Sequence, residues 1–225
     1  MKALLLVGGL STRMGDITKK VAKCMLDVNG KPFLYYQFEN LKKYGITDIV
    51  LCVGHLKEEV ENYFGNGSKF GVNIEYSKEE EKLGTAGPIR LAKDLIDGTF
   101  ICMNGDAYVD VNFDELLKNH KNMATLTIKK IKDCSDYGTV ELDGEKVVAF
   151  KEKEKKFNGF VNVGVYVLEP EMIDFIGEGE VSIEKEIFPE MVSKKLVGSY
   201  EYGGPMIDIG VPERYEYFKK FVKDL

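Results

Sequence analysis

An α/β fold with a mainly parallel sheet flanked by helices is the class this 225-residue sequence predicts, and three observations predict it. Short runs of strand length around residues 2–7, 48–53 and 99–103 are continuously apolar, as strands buried on both faces are. Between them lie stretches with helical apolar spacing, the alternation that wraps helices around a parallel sheet. The first run breaks into Gly8 and Gly9, then Ser11, Thr12 and Arg13, so a strand runs into a glycine loop of phosphate size. An ordinary strand-to-helix turn accounts for the glycines equally well at this point.

The elements follow in order. Residues 31–44 place Phe33, Leu34, Phe38 and Leu41 at helical spacing, with Pro32 at a tolerated first-turn position and Gly45 as the stop. Residues 48–53 read as a strand, 57–64 as a helix and 72–76 as a strand. The acidic cluster of residues 78–82 reads as a solvated loop. Gly84, Thr85, Ala86, Gly87 and Pro88 then allow close backbone approach to a ligand before a helix over residues 89–93. The strand of residues 99–103 ends in Asn104, Gly105 and Asp106. Ligands gather at the carboxyl ends of strands in open parallel sheets, so Asp106 suits a metal, although an Asx-type turn is the commoner use of this tripeptide.

After a helix over residues 113–120 the texture changes. Residues 124–128 alternate, residues 139–142 and 146–150 flank an Asp143-Gly144 turn, and 161–168 form a further strand. This half reads as mixed or antiparallel, a smaller lobe on the first. Ser182 to Glu186 resembles a capping box, and residues 212–222 form a last helix. One α/β domain over residues 1–225 is expected, because a chain of this length buries a substantial core.

Composition narrows the function. The apolar fraction of 44% with 30% charged residues is that of a soluble globular protein. No run approaches the roughly 18 apolar residues of a membrane span, and no signal peptide is evident, so a cytoplasmic location is expected. A net charge of -6 argues against nucleic acid or an anionic membrane as partner. Cys24, Cys52, Cys102 and Cys134 form no metal-type spacing, and only His55 and His120 are present, which leaves carboxylates and cations to carry any chemistry. A phosphate loop, the cations Arg13 and Lys23, and Asp106 and Asp208 at the ends of apolar runs would suffice for metal-assisted nucleotidyl transfer. Magnesium suits such hard oxygen ligands.

The same residues carry a resemblance over nearly the whole chain. Leu6-Val7-Gly8-Gly9 with Thr12-Arg13, Lys23, Leu83-Gly84-Thr85-Ala86-Gly87-Pro88, Asn104-Gly105-Asp106, Glu152-Lys153, Asn162-Val163-Gly164 and Asp208-Ile209-Gly210 resemble, in order and spacing, the sugar-1-phosphate nucleotidylyltransferases. The resemblance implies a Rossmann-like mixed sheet of the nucleotide-diphospho-sugar transferase type, and the reaction of an NTP with a sugar 1-phosphate to give NDP-sugar and pyrophosphate. It implies a nucleotide half, residues 1–110, and a sugar-phosphate half, residues 111–225. Nucleotide contacts would be Leu6, Gly8, Gly9, Ser11, Thr12, Arg13, Lys23, Gly84, Thr85, Gly87 and Asp106, with the base read by backbone around Gly84, Thr85 and Gly87. Arg13, Lys23, Asp106 and Asp208 would be catalytic, the two aspartates holding Mg2+. Asn104, Gly138, Glu152, Lys153, Asn162 and Asp208 would hold the sugar phosphate.

The opening loop and residues 79–88 look most like mannose-1-phosphate guanylyltransferases. Residues 207–213 look more like D-glycero-D-manno-heptose-1-phosphate guanylyltransferases, and both point to GTP. The chain departs from the family pattern at Ser11, where glycine is usual, and at Ala22 and Cys24, where prolines flank the lysine. The left-handed β-helix of larger relatives is not expected here. Expected partners are an NTP and a sugar 1-phosphate, with homodimer formation left open. The alternatives are a uridylyl or other transferase of the family, including a molybdopterin-type guanylyltransferase, and a non-catalytic NDP-sugar sensor.

Overall fold

The computed structural model describes residues 1–9, 14–15, 20–152 and 157–223. In chain order the first half carries β1 (Lys2–Leu6), β2 (Asp27–Val28), β3 (Lys31–Pro32), α1 (Phe33–Lys42), β4 (Asp48–Val53), α2 (Lys57–Phe64), β5 (Asn73–Lys78), α3 (Gly87–Leu91) and β6 (Phe100–Asn104). The second carries β7 (Ala107–Val109), α4 (Phe113–Asn119), β8 (Ala124–Asp133), β9 (Thr139–Asp143), β10 (Lys146–Lys151), β11 (Phe157–Leu168), α5 (Phe188–Ser193), β12 (Val197–Glu201), β13 (Met206–Asp208) and α6 (Pro212–Phe221).

Nine strands form one sheet in the order β5-β4-β1-β6-β11-β8-β12-β10-β9. The four first-half strands of this sheet, β5, β4, β1 and β6, are parallel, with β1 between β4 and β6; β2 and β3 form a separate antiparallel hairpin. β11 is antiparallel to β6 and β8, β12 is parallel to β8, and the β9–β10 hairpin closes the far edge. The antiparallel half therefore continues the same sheet. Along β11 the pairing with β8 moves from Asn162↔Ile128 to Tyr166↔Leu126, a bulge.

The apolar runs lack alternation because the sheet is covered on both faces. Ala3, Leu5, Ile49, Leu51, Ile101 and Met103 pack with Leu34, Phe38 and Leu41 of α1, while Leu4, Val50, Cys52, Phe100 and Cys102 pack with Ile89, Phe188 and Met191. Successive residues of one strand thus enter opposite cores. Full burial of each such Leu, Ile or Phe is worth roughly 1.5–3 kcal/mol. A third cluster joins Phe33 to Phe218, edge to face at 4.9 Å, and seats α6 against the β2–β3 hairpin.

Three expectations change. Pro32 caps α1 in an extended conformation, φ -66° and ψ 151°, and belongs to β3, so the helix begins one residue later than a first-turn proline would place it. Residues 124–128 are buried on both faces instead of alternating: α5 packs on Ala124, Leu126 and Ile128, and the threonine face is buried as well, with His120 against the Thr125 hydroxyl. The capping residue Ser182 opens a π-helical turn, Ile183–Ile187, before α5: its hydroxyl accepts from the Lys185 N–H at 3.2 Å, and Glu186 accepts from the Ser182 N–H at 2.8 Å.

Candidate active site

A cleft of about 860 Å3 opens at the carboxyl ends of β1, β4 and β6. Leu6, Gly8 and Gly9 follow β1 into it, Gly84 and Thr85 border one side, and Asn104, Gly105 and Asp106 arrive from β6. Close backbone approach explains two of the glycines. A Cβ at Gly105 would lie 2.5 Å from the Leu6 carbonyl oxygen, the group to which the Gly105 N–H donates at 2.9 Å. A Cβ at Gly8 would meet the Glu79 carboxylate at 2.5 Å and the Gly54 nitrogen at 3.0 Å, whereas one at Gly9 would meet nothing within 4 Å among the described residues. Gly8 thus lets two strand ends converge.

Asp106 is positioned from below. The amide of Gln37, buried on α1, donates to the carbonyls of Asn104 at 2.9 Å and Ala107 at 2.8 Å, gripping the turn on both sides of the aspartate. The Asp106 carboxylate then pairs with the Lys23 ammonium at 2.8 Å, the two side chains being 35% and 11% exposed. Among the described residues the partner of the Asp106 carboxylate is this lysine and not its own backbone, as an Asx turn would have it. The lysine is held without flanking prolines: Cys24 is buried, and the Ala22 N–H donates to Glu59 of α2 at 2.8 Å.

Asp208 reaches the same neighbourhood through β13, which pairs antiparallel with β7 so that Asp208 faces Ala107, and the Ile209 N–H donates to the Asp106 carbonyl. Its carboxylate does not line the cleft wall; it sits in a polar knot. Oδ1 accepts from the Gly210 N–H at 3.1 Å and pairs with Arg214 at 3.1 Å, and Oδ2 accepts from the Tyr137 hydroxyl at 3.0 Å. Burial, and next the charge of Asp208, push Tyr137 up to about 12, which keeps it a protonated donor. Among the described residues no group of three or more His, Cys, Asp or Glu side chains could cage a metal. Two carboxylates on neighbouring strand ends nonetheless fit a hard divalent cation that completes its shell with water and phosphate oxygens.

The Gly84 loop differs from expectation. Gly84, at φ +76°, crosses so close to Val181 that a Cβ would stand 2.4 Å from its carbonyl oxygen. The N–H groups of Thr85 and Ala86 both donate to that carbonyl, so they are not free for a base. Gly87 is buried beneath Leu83 and the Gly179 carbonyl and is not among the residues lining the cleft. The Thr85 hydroxyl donates to Glu184 at 2.6 Å and accepts from the Ile183 N–H. Burial raises the Glu184 carboxyl, against the opposing pull of that hydroxyl bond. Glu79 corrects the solvated-loop expectation: it turns inward to line the cleft, half-buried, and burial raises its carboxyl too.

Gly138 just before β9, Glu152 just after β10 and Asn162 of β11 meet beyond the cleft. The Asn162 N–H donates to the Gly138 carbonyl, and a Cβ at Gly138 would lie 3.0 Å from the Glu152 carboxylate. Asn162 is engaged locally, its amide donating to Tyr166 at 2.7 Å and accepting from the Gly164 N–H at 3.0 Å. Asn104 packs against Gly164, where a Cβ would meet its amide nitrogen at 2.6 Å, and so joins this group to the cleft. Ser11, Thr12, Arg13 and Lys153 lie outside the described residues.

Sequence reasoning missed Gln37, Glu79, Tyr137, Glu184, Lys185 and Arg214. Glu79 lies inside a stretch that reads as a solvated loop and Lys185 inside one that reads only as a helix cap, and Arg214 meets Asp208 through α6. The Ser182 capping signal could have pointed to Glu184 beside it.

The nucleotidyl transferase family model matches residues 2–224. A probable mannose-1-phosphate guanylyltransferase 1 of Oryza sativa subsp. japonica is 39% identical over 96% of this chain, which spans 63% of that relative's length. A D-glycero-alpha-D-manno-heptose 1-phosphate guanylyltransferase of Campylobacter jejuni is 36% identical, covering 97% of this chain and 98% of its own. The crystal structure of HddC from Yersinia pseudotuberculosis superposes with a TM-score of 0.88 at 26% identity, covering 98% of this chain and 99% of that one; a second structure of HddC is complexed with GMP-PN. No helix among the described residues is long and apolar enough to cross a membrane.

Proposed function

The chain belongs to the nucleotidyl transferase family, and from that premise we propose that it transfers a guanylyl group from GTP to a sugar 1-phosphate of the mannose or heptose type, releasing pyrophosphate. The observation that carries this reading is the Lys23–Asp106 pair at the mouth of β6, beside strand-end glycines and an open cleft. Both substrates are anions, and this is where a cation and a metal-binding carboxylate can meet them together. The cytoplasm, where such substrates are made, is the proposed location.

In this scheme Leu6, Gly8 and Gly9 receive the nucleotide, with Ser11 and Thr12 on the triphosphate and Arg13 drawing charge off the departing pyrophosphate. Lys23 leaves Asp106 for the α-phosphate. Asp106 and Asp208 would hold Mg2+, which when bound neutralises phosphate charge. Lys153 takes the sugar phosphate, Glu152 accepts from sugar hydroxyls, and Asn104, Gly138 and Asn162 shape the sugar pocket. The attacking phosphate oxygen is already an anion, so no general base is required. The residues have to offset repulsion between two anions and align them in line.

Residues 1–110 serve the nucleotide and 111–225 the sugar phosphate. A pyrophosphate-release screen of four NTPs against mannose, heptose, glucose and N-acetylhexosamine 1-phosphates tests the reaction. Release with GTP and a mannose- or heptose-type partner is expected; no release with any pair would favour an NDP-sugar sensor. Arg13→Ala should weaken GTP far more than GDP-sugar, and equal losses measured by calorimetry would contradict its pyrophosphate role.

A further inference from the structure

The carboxylates assigned to the metal are each already paired with a side-chain cation, Asp106 with Lys23 at 2.8 Å and Asp208 with Arg214 at 3.1 Å. The two pairs differ in what surrounds them. Lys23 lines the cleft, where incoming phosphate can take it over. Arg214, on the first turn of α6, does not line that cleft and is the centre of a separate network: one guanidinium nitrogen reaches Asp208, another reaches Asp136 at 3.1 Å and the Tyr137 hydroxyl at 3.3 Å, and Tyr137 itself donates to Asp208.

We propose that Arg214 is a placeholder cation for Asp208: it neutralises this carboxylate in the free protein, holds its affinity for a free divalent cation low, and so makes the metal enter with the nucleotide. The inference rests on the assignment of Asp208 to a metal. Three features support it. A guanidinium in contact with a carboxylate repels a second, doubly charged partner, and with Arg214 24% and Asp208 15% exposed, solvent does not fully screen that repulsion. Asp136 offers the guanidinium a standing alternative, so Arg214 can yield Asp208 without losing an ion pair. The Arg214 Nε is buried without a hydrogen-bond partner among the described residues, so the observed pose leaves one donor unused and is not a fully satisfied structural lock. Tyr137 precedes Gly138 of the sugar side, so release of Asp208 also loosens the turn that leads to the second substrate. Arg214 is accordingly a positioning residue, acting through Asp208.

The test titrates Mn2+ alone into the nucleotide-free full chain, followed by electron paramagnetic resonance of the free ion. Arg214→Gln should bind Mn2+ at least about tenfold more tightly than the unaltered chain, tenfold being the scale of one unit charge acting on a dication at about 6 Å under full water screening. Arg214→Lys, which keeps the charge, should stay close to the unaltered chain, and adding Asp208→Asn to Arg214→Gln should erase the gain. Mn2+ affinity that is unchanged or weaker in Arg214→Gln, with native circular dichroism, would overturn the proposal. So would a gain that persists without the Asp208 carboxylate. Because Mn2+ binding is read without turnover, an absence of pyrophosphate release would overturn the proposed reaction while leaving this result to be judged separately.

Discussion

At the amino end of β6, the Thr99 hydroxyl donates to Glu169, whose carboxylate also meets His120 at 2.9 Å, and the other ring nitrogen of His120 meets the buried Thr125 hydroxyl at 2.8 Å. At the carboxyl end of the same strand, Asp106 holds Lys23 beside an open cleft. Both ends contain ionisable side chains in hydrogen-bonded contact. At the amino end the partners are one another, under a shallow surface depression, and the arrangement is complete. At the carboxyl end the ion pair borders space for a ligand, and glycines bring backbone to the edge of that space. Groups satisfied only by each other stabilise a fold, whereas groups whose partner can be exchanged for a substrate can do chemistry.

Substitutions can break this contrast. The largest effect is expected from Asp106→Asn, which should lower pyrophosphate release on the order of a thousandfold while the melting temperature stays close to the native value. Turnover that survives would move the chemistry away from β6. Next is His120→Ala at the opposite end. It strands the buried Thr125 hydroxyl and leaves Glu169 with Thr99 alone, and should cost about 1–3 kcal/mol in denaturant titrations, with KM and kcat unaltered. A selective loss of turnover there would show that the two ends are coupled. Gly8→Ala follows, at about 1 kcal/mol for forcing Glu79 and the Gly54 backbone aside, seen as a raised KM for the NTP; Gly9→Ala should leave the melting temperature alone.

The smallest effect concerns pH. Burial raises the Glu184 carboxyl, so the folded state holds that proton more tightly than the unfolded chain does. Its stabilising contribution is complete below the ordinary glutamate value of about 4.3 and is lost as pH rises through the elevated value. Glu184→Gln should therefore melt slightly higher than the unaltered chain at neutral pH, with the difference shrinking toward acid in calorimetric scans. A difference that grew toward acid would reverse the sign.

Much of the fold was legible because it is written locally. Residues 48–53 and 57–64 are β4 and α2 with the expected bounds, the Asp143-Gly144 turn joins β9 to β10, and Cys52 and Cys102 are buried in strands as small hydrophobes. Part of the cleft floor was legible for the same reason: Gly8, Gly9 and Asp106 stand at the ends of recognisable runs. What was not legible is long-range. Gln37 grips a turn some seventy positions away, Phe218 docks α6 on Phe33, and the Thr85 and Ala86 N–H groups are taken by Val181, which no local pattern announces. The restraint of Asp208 by Tyr137 likewise depends on two segments 71 positions apart.

The bulge in β11 has a consequence in parity. From Asn162↔Ile128 to Tyr166↔Leu126 the bulged strand advances four residues while β8 advances two, so the surplus is even. An odd surplus would exchange the two faces of everything beyond it. With an even one, Val163, Val165 and Val167 stay in one core while Phe160, Tyr166 and Leu168 stay in the other, and the slack is absorbed at Gly164, at φ +79°. The strand can thus be displaced lengthwise to bring Gly164 against Asn104 without rewriting either interior. Insertions or deletions at this point should be tolerated in twos and not in ones.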